Sequence, residues 1–131
     1  MDARKVKIML VEDNPDDVYM TIRDLKKNDL DRNLHVTADG RETLDALETL
    51  ADAGSPLPDL ILLDIGLPDQ SGLDLLRKLK ADHRFSHIPV VMLTGSEMIQ
   101  DIQKSYDLGA VSYLMKPISV DELMTMLKYV T

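Results

Sequence analysis

The sequence predicts an α/β fold in which a five-stranded parallel sheet is covered by helices on both faces. Short apolar segments alternate with amphipathic segments of helical periodicity along the 131 residues. The apolar segments are nearly continuous hydrophobic runs, which is typical of strands that are buried on both faces of a parallel sheet. The length suits one hydrophobic core, so we interpret residues 1–131 as a single domain.

The predicted elements follow from this alternation. Strands are predicted at 6–11, 34–38, 60–64, 90–94 and 112–115. Helices are predicted at 15–28, 41–53, 72–82, 97–108 and 120–130. Parallel strands joined by right-handed helical crossovers leave few topologies, and the doubly wound, flavodoxin-like strand order 2-1-3-4-5 is the common one for five strands.

Residues suited to helix ends flank the predicted helices. Asn14 can cap the first helix, and Pro15 fits its first turn, where no amide hydrogen is needed. Ser71 is a suitable cap for the third helix. Gly54 and Gly109 follow the second and fourth helices, at positions where a left-handed backbone conformation commonly ends a helix. These residues support the predicted boundaries.

Composition and charge exclude several classes of function. The net charge of −8 at pH 7 disfavours binding to nucleic acid and to anionic membranes, because both attract Lys and Arg. The absence of cysteine excludes disulfides, thiolate catalysis and cysteine-ligated zinc. The first apolar run is too short for a signal peptide, because Glu12 and Asp13 interrupt it. We therefore expect a cytoplasmic protein with no further domain.

Polar and charged residues stand at the carboxyl ends of four predicted strands. They are Glu12 and Asp13 after the first strand, Asp64 at the end of the third, Thr94 at the end of the fourth and Lys116 after the fifth. Ligands of such sheets bind outside the carboxyl ends, between strands 1 and 3, where Asp13 and Asp64 should face each other. Carboxylates favour Mg²⁺ there, and the metal together with Lys116 would admit a phosphoryl group.

The stretch VEDNPDD contains two further carboxylates, Asp16 and Asp17. Acidic side chains in the first turn of a helix are stabilised by the positive end of the helix dipole. We therefore interpret Asp16 and Asp17 as residues of the helix start. The acidic loop would repel the phosphates of a flavin or dinucleotide, which argues against an electron carrier of the flavodoxin type.

Four segments together resemble the receiver domain of two-component response regulators, in particular its stand-alone, chemotaxis-regulator-like type. They are VEDN, LLDIGLPDQSG, VVMLTGS and YLMKP, and in this order they cover essentially the whole chain. The resemblance implies that Asp64 is the phosphoacceptor. It also implies that Mg²⁺ is bound by the side chains of Glu12, Asp13 and Asp64 and by the backbone of Gly66.

The same resemblance implies roles for residues around the phosphoacceptor. Thr94 and Lys116 would contact the transferred phosphoryl group, and the backbones of Gly66 and Gly95 would bind its oxygens. Thr94 and Tyr113 would form the switch that couples phosphorylation to the protein surface. On its own, Tyr113 is more typical of an ordinary packed strand aromatic than of a switch residue, and that alternative stays open.

The resulting hypothesis is a phosphorylation-controlled signalling switch. A sensor histidine kinase or a histidine phosphotransfer protein would supply a phosphohistidine, whose phosphorus the Asp64 carboxylate would attack in line. The chain would catalyse its own phosphorylation, yet it would be a signalling protein and not an enzyme. Dephosphorylation should be slow, because neither Gly66 nor Ser96, which would flank the path of the attacking water, offers a general base.

Two alternatives remain open. A constitutive pseudo-receiver would bind its partners without phosphorylation, although Asp13, Asp64, Thr94 and Lys116 are all present. An aspartate-nucleophile phosphatase of the haloacid-dehalogenase kind would need a second Asp two residues after the nucleophile, where this sequence has Gly66.

Two further expectations concern the end of the chain. The Lys116–Pro117 peptide bond should be cis, because the lysine must turn back towards Asp64 within a tight loop. The face formed by helix 4, strand 5 and helix 5 should bind a downstream target or a second copy. Helix 5 carries Met126 and Tyr129 beside its apolar stripe, so this face is less polar than an ordinary solvated surface.

Overall fold

The computed structural model describes residues 5–95 and 99–130 and contains the predicted parallel sheet. The strands are β1 (Lys7–Val11), β2 (Asn33–Thr37), β3 (Leu60–Asp64), β4 (Val90–Thr94) and β5 (Ser112–Met115). The helices are α1 (Pro15–Lys26), α2 (Gly40–Asp52), α3 (Gly72–Ala81), α4 (Ile99–Asp107) and α5 (Val120–Val130). The strand order is β2-β1-β3-β4-β5 with parallel pairing throughout, which confirms the predicted fold class.

The predicted boundaries agree closely with the structure. β3, β4, β5 and α5 have the predicted bounds. The largest difference is at the end of α1, which stops at Lys26, two residues early. Asp29 adopts a positive φ of 56°, and Leu30 N donates a hydrogen bond to Leu25 O (3.0 Å), so the chain turns away from the helix. Residues 97 and 98, where the fourth helix was predicted to begin, lie outside the described residues.

The sheet separates two hydrophobic layers. Alternate residues of β1, β3 and β4 point to opposite faces, as the period of two in a strand requires. One layer joins Met9, Ile61 and Val90 to the inner faces of α2 and α3. The other joins Ile8 and Leu62 to α1 and α5. β3 and β4 are buried along their whole length, which explains their continuous apolar sequences and places the polar ends of the strands at one edge.

The start of α1 is fixed immediately after the acidic pair that follows β1. Asn14 is the N-cap: its Oδ1 accepts hydrogen bonds from Asp16 N (2.9 Å) and Asp17 N (3.3 Å). Pro15 is the first helical residue, as predicted. The cap satisfies two amides that have no partner within the helix, so the positions of Asp16 and Asp17 are set by the backbone.

Gly72, the first residue of α3, lies against the end of β3. Its amide donates a hydrogen bond to Ile65 O (2.7 Å). A Cβ atom on Gly72 would lie 2.1 Å from Asp64 O and 2.8 Å from Ile65 Cα. The two backbones therefore approach so closely that only glycine fits, and this contact fixes the strand end that carries Asp64.

The loop between β3 and α3 is fastened to the start of α2. Asp69 accepts hydrogen bonds at Oδ1 from Gly40 N (2.9 Å) and at Oδ2 from Arg41 N (3.0 Å). Asp39, which precedes the helix, accepts one from Glu42 N (2.8 Å). Two amides at the start of α2 thus bond to a side chain that follows them by 29 and 28 residues.

Two remaining expectations concern the Lys116–Pro117 bond and the membrane. The Lys116–Pro117 peptide bond is cis, as predicted. Across the described ranges, none of the helices is both long enough and apolar enough to pass through a membrane.

Candidate functional site

Three carboxylates meet at the carboxyl ends of β1 and β3. Each of Glu12, Asp13 and Asp64 offers one oxygen, and these atoms all lie within 4.8 Å of one another. Glu12 and Asp64 are buried, whereas Asp13 is exposed. Carboxylate oxygens are hard ligands of the kind that Mg²⁺ prefers, so this acidic pocket is compatible with a divalent metal ion. The predicted meeting of Asp13 and Asp64 is confirmed.

Backbone amides orient the two buried carboxylates. Asn14 N donates a hydrogen bond to Glu12 Oε2 (3.3 Å), and Gly66 N donates one to Asp64 Oδ1 (3.3 Å). The amide of Glu12 itself donates to Thr37 O of β2 (2.9 Å) and so continues the sheet pairing past the end of β1. The two side chains are therefore held by loops that the sheet fixes.

Three carboxylates share the ammonium group of Lys116. It donates a hydrogen bond to Glu12 Oε1, lies 2.9 Å from Asp17 Oδ2 and lies 3.4 Å from Asp64 Oδ2. The interpretation of Asp17 as a residue of the helix start alone is therefore wrong. As the third residue of α1, Asp17 extends from the first turn towards the loop after β5 and reaches Lys116 there.

This ion pair is difficult to predict from the sequence. Asp17 and Lys116 are 99 residues apart, and no periodic pattern relates them. One clue is the position of Asp17 on its helix, because residues 17, 21 and 24 recur at helical spacing. In the structure this face of α1 and Lys116 line a cavity of about 200 Å³. Asp17 lies on that face, next to the residue that follows β5, Lys116.

Burial is the main cause that raises the pKa of Glu12 to about 7, because it disfavours the charged carboxylate. The hydrogen bond from Lys116 opposes this effect, whereas the neighbouring Asp64 adds to it. For Lys116, burial acts to lower the pKa, but hydrogen bonds to Glu12 and Asp17 and the attraction of Asp64 outweigh it and raise the pKa. At neutral pH the lysine is therefore charged, and Glu12 is partly protonated.

The other predicted residues lie at the same edge of the sheet. Thr94 is buried at the end of β4, and its carbonyl accepts a hydrogen bond from Lys116 N (2.8 Å). Gly66 and Gly95 are exposed, and a Cβ atom on either would meet no atom within 4 Å. Ser96 lies outside the described residues, so the slow dephosphorylation inferred from Gly66 and Ser96 stays a prediction.

Tyr113 lies on β5 opposite Met92 of β4. Its half-buried side chain packs against the hydrophobic layer that includes α2 and α3. This position suits a switch residue and an ordinary packed aromatic equally well, so its role as a switch stays a prediction.

Replacing Asp13 with Asn is expected to weaken Mg²⁺ binding by about tenfold or more, because the pocket loses a charged oxygen ligand. Calorimetric titration of the metal-free protein with Mg²⁺ measures the effect. Asp16→Asn is the matched control, since it removes the same charge three residues further along and outside the acidic pocket. Equal Mg²⁺ affinities for the two variants would remove Asp13 from the metal site.

Comparison with known proteins identifies relatives that match most of the chain. The profile of the response regulator receiver domain matches residues 8–128. The polar-differentiation response regulator DivK of Brucella anthropi is 37% identical over 124 residues, a match that covers 92% of this chain and 92% of DivK. The response regulator Rcp1 of Synechocystis sp. is 34% identical over 122 residues, covering 92% of this chain and 83% of Rcp1.

Solved structures agree with this result. The crystal structure of the Mn²⁺-bound form of Rcp1 superposes with a TM-score of 0.73 at 33% identity, over 95% of this chain and 91% of Rcp1. The phosphorylated cyanobacterial phytochrome response regulator RcpA superposes with a TM-score of 0.77 at 34% identity, over 95% of this chain and 90% of RcpA.

Proposed function

Since the chain belongs to the response regulator receiver family, we propose that it is a switch controlled by phosphorylation of Asp64. The donor is the phosphohistidine of a sensor histidine kinase or of a histidine phosphotransfer protein. One observation carries the proposal: an acidic pocket of Glu12, Asp13 and Asp64 lies beside the ammonium group of Lys116 at one edge of the sheet.

Asp64 is the nucleophile in this proposal. Its carboxylate attacks phosphorus in line with the bond to the histidine nitrogen; the P–O bond forms as the P–N bond breaks, and the imidazole leaves. The hydrogen bond from Gly66 N to Oδ1 (3.3 Å) restricts the rotation of the carboxylate. Positioning of this kind supplies much of the acceleration in phosphoryl transfer.

Neutralisation of negative charge also accelerates the phosphoryl transfer. The phosphoryl oxygens carry negative charge into a pocket that already contains three carboxylates, so positive charge must meet them. Lys116, whose Nζ is 3.4 Å from Asp64 Oδ2, is placed to contact one of these oxygens. Glu12, Asp13 and Asp64 would hold Mg²⁺, which supplies further positive charge next to the transferred group.

Incubation with acetyl phosphate and Mg²⁺, followed by intact mass measurement, tests the proposal. The wild-type protein is expected to gain one phosphoryl group and Asp64→Asn none. Asp74→Asn is the control, because Asp74 is a partly exposed carboxylate of α3 that pairs with Arg77 (3.0 Å), away from the pocket. A wild-type protein that gains no phosphoryl group would instead support the constitutive pseudo-receiver.

We propose further that phosphorylation is read out at the face formed by α4, β5 and α5. A groove of about 450 Å³ lies between β5 and α5 and is lined by Val111, Leu114, Thr125 and Met126, among others. Val111 and Tyr106 are 44% and 48% exposed, so apolar area is available to a downstream target or to a second copy. The side chain of Tyr129, which the sequence also suggested, lies outside the described part of the chain.

The phosphoryl mimic beryllofluoride tests this readout. In the presence of Mg²⁺ it is expected to shift the amide resonances of α4 and α5 in the wild-type protein, because Thr94 and Tyr113 rearrange together. The same addition to Asp64→Asn should leave these resonances unchanged. Shifts confined to the residues around Asp64 would contradict a readout at this face.

A further inference from the structure

We propose that Asp17 is a positioning residue that holds the ammonium group of Lys116 beside Asp64 when Glu12 engages the metal ion. The inference rests on the proposed transfer of a phosphoryl group to Asp64. It concerns a carboxylate that lies outside the acidic pocket and accepts a hydrogen bond from Lys116.

A bound metal ion would affect the three carboxylate contacts of Lys116 differently. Two of its carboxylate neighbours, Glu12 and Asp64, belong to the acidic pocket, so a cation bound there draws on the same two carboxylates. Asp17 is not a member of that pocket, and its 2.9 Å contact with Lys116 Nζ does not compete with the metal ion. The pair between Asp17 and Lys116 is therefore the one that metal binding leaves intact.

The backbone holds Asp17 in place. Asp17 is the third residue of α1, and its amide donates to Asn14 Oδ1 of the N-cap (3.3 Å). The side chain of Asp17 is 34% exposed and that of Lys116 is 19% exposed, so the pair is partly shielded from water. A short side chain on a capped helix is a rigid support for a long and flexible lysine.

Lys116 has room to leave this position. Next to the pair is a cavity of about 200 Å³, lined on the helix side by Asp17, Met20, Thr21 and Asp24. Without a partner at position 17, the ammonium group could enter that space or solvent. A displacement of about 1 Å in a catalytic group can cost up to about 100-fold in rate, so orientation of this lysine matters more than the single negative charge that Asp17 adds.

The simpler role of Asp17 is to stabilise the start of α1 through the helix dipole. Asp16 shares that role completely: it is the preceding residue of the same turn, its amide donates to the same cap, and it is exposed. Asp16→Asn therefore removes the same charge and the same dipole interaction without touching Lys116. The two variants separate positioning from helix stability.

The experiment compares the wild-type protein, Asp16→Asn, Asp17→Asn and Asp17→Glu. The Mg²⁺ affinity is measured by calorimetry, and the phosphorylation rate is measured at saturating Mg²⁺ and acetyl phosphate. Asp17→Asn is expected to lower the rate about tenfold, the order of one charge-assisted hydrogen bond that is partly open to solvent. The Mg²⁺ affinity of Asp17→Asn should equal that of Asp16→Asn. The phosphorylation rate of Asp16→Asn should lie within about twofold of the wild-type rate. Asp17→Glu should recover part of the lost rate.

A crystal structure of the wild-type protein with Mg²⁺ and beryllofluoride gives a readout that does not depend on turnover. Lys116 Nζ is expected within hydrogen-bond distance of the Asp17 carboxylate. A lysine that has left Asp17, or equal rates for the two Asn variants, would overturn the positioning role while leaving the proposed function intact. A wild-type protein that takes no phosphoryl group would overturn both.

Discussion

Replacing Gly72 with alanine is expected to lower the free energy of unfolding by about 3 kcal/mol or more. The added methyl group would lie 2.1 Å from Asp64 O and 2.8 Å from Ile65 Cα. These are backbone atoms of β3 and its loop, and they cannot rotate away as a flexible side chain could. The strand end or the first turn of α3 must shift, and Mg²⁺ affinity should fall with stability because Asp64 moves. Urea denaturation measures the stability.

Gly66→Ala is the matched control for this prediction. It adds the same methyl group to the same loop, but no atom lies within 4 Å of the new position. The variant should be as stable as the wild-type protein or slightly more stable, because alanine restricts the unfolded chain. If Gly72→Ala loses less than about 1 kcal/mol, the close approach of the two backbones relaxes easily and does not fix the strand end.

The metal-free protein is expected to lose about 1–2 kcal/mol of stability as the pH rises from about 5.5 to about 8. Glu12 titrates at about 7 in the folded protein, above its ordinary value of 4.5, so the folded state binds the proton more tightly. The stabilisation that protonated Glu12 provides is complete below its ordinary pKa of 4.5, and it is lost as the pH rises through about 7. The expected loss of stability is smaller than the full pKa shift alone would give, because water at the mouth of the pocket screens the charge. Lys116, with its raised pKa, stays charged throughout this interval.

Thermal unfolding at several pH values, with and without Mg²⁺, checks this dependence. Glu12→Gln should abolish the decline and, at about pH 8 without metal, should be more stable than the wild-type protein, because a buried charge is gone. Saturating Mg²⁺ should reverse this order, since the metal stabilises only a protein that keeps its carboxylate ligand. A wild-type decline that persists unchanged in Glu12→Gln would assign it to other groups.

The sequence was sufficient for the strand order and for the corner of the sheet where the site lies. Both depend on strong regularities: apolar strands alternating with amphipathic helices, right-handed crossovers, and ligand sites at the carboxyl ends. The meeting of Asp13 and Asp64 followed from those rules once each was placed at a strand end. The residue roles inferred from the family resemblance, from the phosphoacceptor Asp64 to the switch residue Tyr113, stay predictions.

Other features could not be predicted because they depend on single side chains that meet across the fold. The pairing of Asp17 with Lys116 spans 99 residues, and neither residue has a spacing that indicates the other. The early end of α1 depends on the positive φ of Asp29, an uncommon conformation for a residue other than glycine. Local patterns indicate at most the face of a helix on which such a residue lies, because the contact itself forms when the elements pack together.

The bonds from Gly40 and Arg41 to Asp69 bear on the order in which the chain folds. Two of the first amides of α2 find their acceptor only in a loop that follows β3, 29 and 28 residues later. During synthesis from the amino terminus, α2 emerges before the loop that carries Asp69, so the amides of Gly40 and Arg41 bond to water until that loop arrives. The two bonds form only after the segment between α2 and Asp69 has closed, and they then join the helix start to the loop after Asp64. The loop that follows β3 and the start of α2 therefore depend on each other for their final hydrogen bonds.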